Sequence, residues 1–207
     1  MKRALAAIAF ALACSGAAYA QDTSMSFFVT SVNPGKGGDL GGLTGADAYC
    51  DTLAKAAGAT GKSWKAYLST DAENAKDRIG AGPWYNAKGE KIADDVASLH
   101  SDKNNLTKQT ALNEKGEVIN GRGDTPNRHD ILTGSKADGT AAPDTCGNWT
   151  MGGADGAAIV GHSDRTGLND SAEAKSWNSS HATRGGCTVE AFKGTGGEGL
   201  FYCFAEK

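Results

Sequence analysis

The chain lacks the short signatures that mark most enzymes. It has no His-Glu-x-x-His pair, no Gly-x-Ser-x-Gly elbow, no phosphate-binding loop and no dinucleotide fingerprint. No two cysteines are spaced Cys-x-x-Cys, which argues against a thiolate metal site. A basic excess is missing too: 21 Lys and Arg face 24 Asp and Glu, for a net charge of −3. That balance argues against nucleic acid or an anionic membrane surface as a partner. The apolar run Ala4–Ala13 is too short to span a bilayer, and no other run is long enough. Proline (4 residues) and aromatics (7%) are both scarce, so the core is modest for 207 residues.

What is present begins with an address. Lys2 and Arg3, the apolar run, and Ala18-Tyr19-Ala20 before Gln21 form the three parts of a secretory signal peptide. Residues 1–20 are therefore expected to be removed, leaving one domain over 21–207 in the periplasm or secreted. A lipoprotein anchored through Cys14 is the alternative, but Ala11-Leu12-Ala13 matches a lipobox poorly. Cleavage removes two positive charges and takes the net charge from −3 to −5. It also leaves Cys50, Cys146, Cys187 and Cys203, an even set that reads as two disulfides with three pairings open. Glycine, at 29 residues, is about twice its usual share, so much of the chain is loop.

Along the chain, Ser26–Val32 reads as a first strand. A helix follows, with Thr44 as N-cap, Asp47 in its first turn and Gly58 as its stop. Ala46, Cys50, Leu53 and Ala57 form its buried stripe. Trp64–Ser69 alternates, placing Trp64, Ala66 and Leu68 on one face and Lys65, Tyr67 and Ser69 on the other. Asp71–Ile79 and Asp94–Leu99 read as short helices. Trp84–Asn86 and Glu90–Ala93 flank a hairpin turn. Gly116–Asn120, Ile131–Ser135, Cys146–Thr150 and Gly199–Phe204 read as further strands. Met151–Ser176 is a long polar loop, and a connection of that length in a compact domain is functional or disordered.

Several of these pieces recur in one order. They are Phe28-Val29-Thr30-Ser31, the run Gly41–Cys50, Lys65-Ala66-Tyr67-Leu68-Ser69, Leu132-Thr133-Gly134-Ser135, Thr145–Thr150, Trp177, Cys187 and Leu200–Phe204. Together they resemble the bacterial exported relatives of the endostatin domain of collagen XVIII. The resemblance implies an α+β, C-type-lectin-like fold: two helices on a small antiparallel sheet with long loops. It also implies nested disulfides, Cys50 with Cys203 and Cys146 with Cys187.

The family's functional sites carry over only in part. Sugar-binding C-type lectins hold calcium with a Glu-Pro-Asn-like and a Trp-Asn-Asp triplet. This chain has Thr125-Pro126-Asn127 and Trp177-Asn178-Ser179, each short of a carboxylate that calcium needs. Asp155, Asp164, Asn169 and Asp170 offer a different calcium site, with solvated loop acids as the favoured reading. Endostatin's zinc cluster is N-terminal, and the residues after Gln21 carry no equivalent histidines. His129 beside Asp130 reads as a polar cap on the strand at Ile131 rather than as a ligand. Arg122-Gly123-Asp124 is the integrin tripeptide, read here as chance. Trp149 and Trp177 frame the long loop, as stacking platforms or as core.

The leading expectation is a non-catalytic exported binding module, recognising a glycan or a surface protein through the loop between Cys146 and Cys187. Trp149, Asp155, His162, Asp164, Arg165, Trp177 and Asn178 are its candidate ligand residues. No cofactor is required, and calcium is an option only. The alternatives are a structural interaction domain of the cell envelope, and a metal-assisted hydrolase built on His162 and Asp164.

Overall fold

The structure, a computed structural model, describes residues 25–206; the expected signal peptide and Cys14 lie outside them. The elements are β1 (Phe27–Val29), α1 (Gly42–Ala56), β2 (Ser63–Ala66), α2 (Ala75–Arg78), β3 (Trp84–Tyr85), β4 (Lys91–Ala93) and α3 (Val96–Leu99). They continue with β5 (Asp130–Leu132), α4 (Cys146–Trp149), β6 (Ile159–His162), β7 (His181–Ala182), α5 (Val189–Thr195) and β8 (Gly197–Glu206). The class is α+β, as expected, but the sheet is mixed. Its six strands run β1-β8-β5-β6-β7 with β2 also on β8, and β5 lies parallel to β8. β3 and β4 form a separate hairpin.

β8 is the axis. β1 and β2 both pair with its Cys203 and Phe204, so they occupy opposite edges. Alternate residues of β8 point to opposite faces. Phe201, Cys203 and Ala205 join α1's Ala46, Cys50 and Ala54 in one core. Leu200, Tyr202 and Phe204 join Trp84, Ile92, Leu99, Leu106 and Trp177 in a second core on the other face. Full burial of each such ring stabilises by roughly 1.5–3 kcal/mol. Because both faces are covered, β8 is a nearly continuous buried run. The strand read at Trp64–Ser69 is shorter, Ser63–Ala66; Tyr67 and Ser69 lie beyond it and are fully buried, Tyr67 in the second core.

Other expectations shift. Thr44 lies inside α1; the N-cap is Gly41, with φ 75° and no side-chain bond. Asp47 is not in the first turn. Its carboxylate instead accepts from the Ala66 amide (2.9 Å), Arg78 (2.6 Å) and Lys65 (3.1 Å), tying α1 to β2 and α2. Gly58, with φ 83°, does follow the helix end. Leu53 and Ala57 are only partly buried, and Ala54 takes the deeper place. Val118 makes a single bridge to Leu112 rather than a strand.

Cys146–Thr150 is not a strand. Cys146, Gly147, Asn148 and Trp149 have φ of 47°, 61°, 56° and 64°, a single left-handed turn. Thr145 stabilises it by accepting the Asn148 amide (3.0 Å). The Trp149 indole N–H donates to the Ser69 carbonyl (2.7 Å), anchoring the turn in the core.

The sulfurs pair as the resemblance implies, Cys50 with Cys203 and Cys146 with Cys187. The first bolts α1 to β8, and the second ties the left-handed turn to the segment before α5. Met151–Ser176 is not one free loop, because β6 runs through it, buried beside β5. What remains exposed are the segments 151–157 and 164–176 on either side of it.

Candidate functional site

Strands β5, β6 and β7 are neighbours, and their register gathers residues far apart in sequence. Asp130 on β5 stands directly opposite His162 on β6. His181 on β7 pairs with Val160, two positions along from His162, and His129 immediately precedes β5. The close approach requires Gly161: a Cβ there would lie 1.8 Å from the Trp177 carbonyl oxygen.

The result is a histidine–carboxylate cluster. His129 Nε2 and His162 Nε2 lie 3.2 and 3.4 Å from Asp130 Oδ1, and His181 Nε2 lies 3.7 Å from Oδ2. His162 and His181 bring their Nε2 atoms within 3.0 Å of each other. The rings of His129 and His162 stack with centroids 4.3 Å apart and planes 7° from parallel. Asp130 is 2% exposed, yet neither of its oxygens receives a hydrogen bond of good geometry. The short distances from His129 and His162 are thus contacts without an aligned donor, and an unpaired buried carboxylate costs free energy.

The far nitrogens are all engaged. His129 Nδ1 meets Asp164 Oδ1 at 2.9 Å, His162 Nδ1 meets the Ala174 carbonyl at 2.7 Å, and His181 Nδ1 meets the Ala182 carbonyl at 3.1 Å. Carboxylates and carbonyls only accept, so each Nδ1 carries the hydrogen. Asp164 also accepts from the amides of Arg122 (2.7 Å) and Thr166 (3.0 Å). Burial opposes its ionisation, but these bonds, led by that from His129, outweigh burial and hold the carboxyl below its usual range. For His162, burial likewise works against the charged form, while the Asp130 carboxylate, helped by the Ala174 carbonyl and Asp164, outweighs it and raises the pKa above its ordinary value.

Ser180 Oγ lies 3.4 Å from His162 Nδ1, with Asp130 on the ring's far side, an order that resembles a nucleophile triad. The chemistry does not follow. Nδ1 already donates to Ala174, so it has no lone pair with which to take the serine proton.

Above the cluster opens a cleft of about 590 Å³. Its floor is His129, His162 and His181; its rim carries Arg122, Arg184, Leu168 and Glu173. Neither Arg122 nor Arg184 makes a side-chain ion pair among the described residues, and both are exposed.

Of the seven residues expected to bind ligand, the structure gathers two, His162 and Asp164, at the cluster. Trp149 (0% exposed) is a core residue; Trp177 (3%) and Asn178 (1%) are almost wholly buried, although with Arg165 they line a second cleft. Asn178 donates to Tyr67 Oη and to the Lys136 carbonyl. Asp155 is exposed and is not among the residues lining the cleft. Arg165 faces a second cleft and ties the 164–176 segment down through Lys175 O and Asn104. The loop acids do not converge on one point: Asp170 pairs with Lys175, and Asn169 caps a local turn at Ser171. His129 and Asp130 do not merely cap a strand; with His162 they form a compact group of potential ligand atoms, all within 4.8 Å of one another. In Arg122-Gly123-Asp124 the carboxylate is taken by Lys108 and the Gly121 amide.

Fold and site together define a disulfide-linked α+β domain with a largely buried three-histidine, one-carboxylate cluster under an arginine-rimmed cleft. No protein-family model matches the chain, and comparison with curated proteins finds none similar in sequence.

Proposed function

We propose that the protein is an exported, non-catalytic binding module that takes an anionic glycan in the cleft above the histidine cluster. One observation carries this reading: Arg122 and Arg184 stand on the cleft rim with no carboxylate partner among the described residues. Arginine recognises carboxylate and sulfate groups bidentately, and two such groups unengaged at one opening favour a ligand that supplies them. Asn127, Ser180 and Thr195 on the lining add donors and acceptors for hydroxyls. Leu168, Ser180, His181 and Arg184 lie between Cys146 and Cys187, whereas Arg122, Asn127, His129 and Thr195 lie outside that span, so the cleft is wider than the loop the sequence suggests. The resemblance to exported C-type-lectin-like domains supports the same class. The paired disulfides fit an oxidising compartment, and no helix among the described residues is long and apolar enough to cross a membrane.

A glycan array carrying uronic-acid, sulfated and neutral sugars tests it. Binding confined to the acidic sugars, and lost on Arg122→Ala with Arg184→Ala, is the expected result. Equal binding of neutral sugars, or none at all, removes it. An envelope protein as partner is the second reading, favoured by Leu168, a leucine 86% exposed on the same rim. A partner that co-purifies with wild type and is lost on Leu168→Ser would favour it.

A further inference from the structure

We propose that His129, Asp130, His162 and His181 form a binding site for one zinc-type divalent transition-metal ion at the floor of the cleft. This does not depend on what the cleft binds, because all four ligands come from the chain itself.

Four independent observations converge. The first is spacing. Zinc holds imidazole nitrogen at 2.0–2.1 Å, so tetrahedral donors sit about 3.3 Å apart. Four of the six separations, 3.0, 3.2, 3.4 and 3.7 Å, bracket that value; His129, Asp130 and His162 form the compact group, and His181 must move in towards His129 to complete it. The second is orientation. Every Nδ1 donates outward, to Asp164, the Ala174 carbonyl and the Ala182 carbonyl, which leaves the Nε2 lone pairs of the neutral rings turned towards Asp130. Backing a histidine through its other nitrogen is how proteins fix the tautomer that binds metal. The third is need. Asp130 is almost wholly buried with both oxygens lacking an aligned donor, and the Nε2 atoms of His162 and His181 face each other at 3.0 Å. Lone pairs and a carboxylate held that close repel unless a shared proton or a metal ion lies among them, and a metal ion satisfies all of them at once. The fourth is access. The His181 side chain is 39% exposed on the cleft side and leaves the ion a route in.

Three imidazoles and one carboxylate suit zinc, or copper, nickel and iron, and do not suit calcium or magnesium, which take oxygen ligands. Four protein ligands make a closed site, which anchors and stabilises rather than activating water. The stacked rings of His129 and His162 must tilt apart to point both lone pairs at one ion. The site is distinct from the loop acids, and Asp164 serves behind His129 as a positioning residue.

The test uses the purified chain with its disulfides intact, stripped with a chelator and then titrated with zinc or cobalt alone. The expected result is one ion retained per chain by elemental analysis, a rise in the melting temperature, and cobalt absorption in the visible of the strength that tetrahedral sites give. His162→Ala should abolish stoichiometric retention. His181→Ala is the safer variant, since its side chain is partly exposed; it should weaken binding while leaving the circular dichroism of the chain unchanged. Asp164→Asn should lower affinity by about 10- to 100-fold, the range for an outer partner of a metal ligand. His100→Ala, outside the cluster, should leave the stoichiometry at one. Sub-stoichiometric retention by wild type, or retention by His181→Ala and His162→Ala equal to wild type, overturns the proposal. Zinc retention without glycan binding upholds the site and removes the ligand reading; glycan binding by a chain that takes up no metal does the reverse.

Discussion

His100 shows how one side chain can set a pH dependence. Asn178 donates to Tyr67 Oη (3.0 Å), Tyr67 donates to His100 Nε2 (2.6 Å), and His100 Nδ1 donates to the Val96 carbonyl (2.7 Å). The relay requires a neutral ring. Burial leads in lowering the His100 pKa below 6.5, against the Val96 carbonyl and with help from Lys76. The unfolded chain therefore takes up this proton first. The contribution is complete above the ordinary histidine value and fades as pH falls below it. Urea unfolding at about pH 7.5 and about pH 5.5 should show wild type losing more stability over that interval than His100→Gln. Equal losses would mean that His100 does not titrate in this way. The same residue type shows what sequence conceals. The four histidines stand at positions 100, 129, 162 and 181, so no local spacing relates them. Only the pairing of β5 with β6 and of β6 with β7 brings three of them together. The usable signal was polarity at strand ends: His129-Asp130 opening one buried run and His162 closing another.

Among elements, the left-handed turn at Cys146–Trp149 and the join between α1 and α2 carry the clearest consequences. A left-handed turn costs roughly 1–2 kcal/mol per non-glycine residue, and the turn persists because a disulfide, the Thr145 cap and the Trp149 indole all hold it. Gly147→Ala should destabilise by about 1–2 kcal/mol in thermal or urea unfolding. Gly161→Ala should cost more, at least about 3 kcal/mol, because its Cβ meets backbone rather than a movable side chain. A Gly161→Ala protein as stable as wild type would contradict the close approach of β6 to Trp177. Arg78, with its side chain 5% exposed, is neutralised by Asp47 and Glu73. Removing Asp47 leaves a buried cation half-paired, and Asp47→Ala should cost about 3 kcal/mol. Sequence reasoning found α1, the hairpin and β8 because their patterns are local. It mistook the left-handed turn for a strand, since nothing local announces four positive φ values. Trp149 and Trp177 were ambiguous for a similar reason: an indole's burial is decided by what covers it.

For the whole molecule, the two disulfides divide the stabilising work. They close spans of 153 and 41 residues, worth about 5 and about 4 kcal/mol respectively in the chain-entropy account. Cys146→Ser with Cys187→Ser should fold, since both cores and the Cys50–Cys203 bridge remain, but proteolysis within 164–176 should speed up. An unchanged digestion pattern would show that β6 and the Arg165 contacts alone secure that segment. The pairing of the sulfurs was legible through the resemblance; the mixed sheet was not, because β5 meets β8 in parallel only after a long excursion through the other strands.

β8 is synthesised after every strand that leans on it. A nascent chain stalled before Gly197 would hold β1 and β2 without the strand they pair with, and a Cys50 thiol whose proper mate does not yet exist. Such a chain is a ready substrate for mispairing with Cys146 or Cys187. The correct partner of Cys50 thus arrives only with the last strand, because Cys203 lies within it.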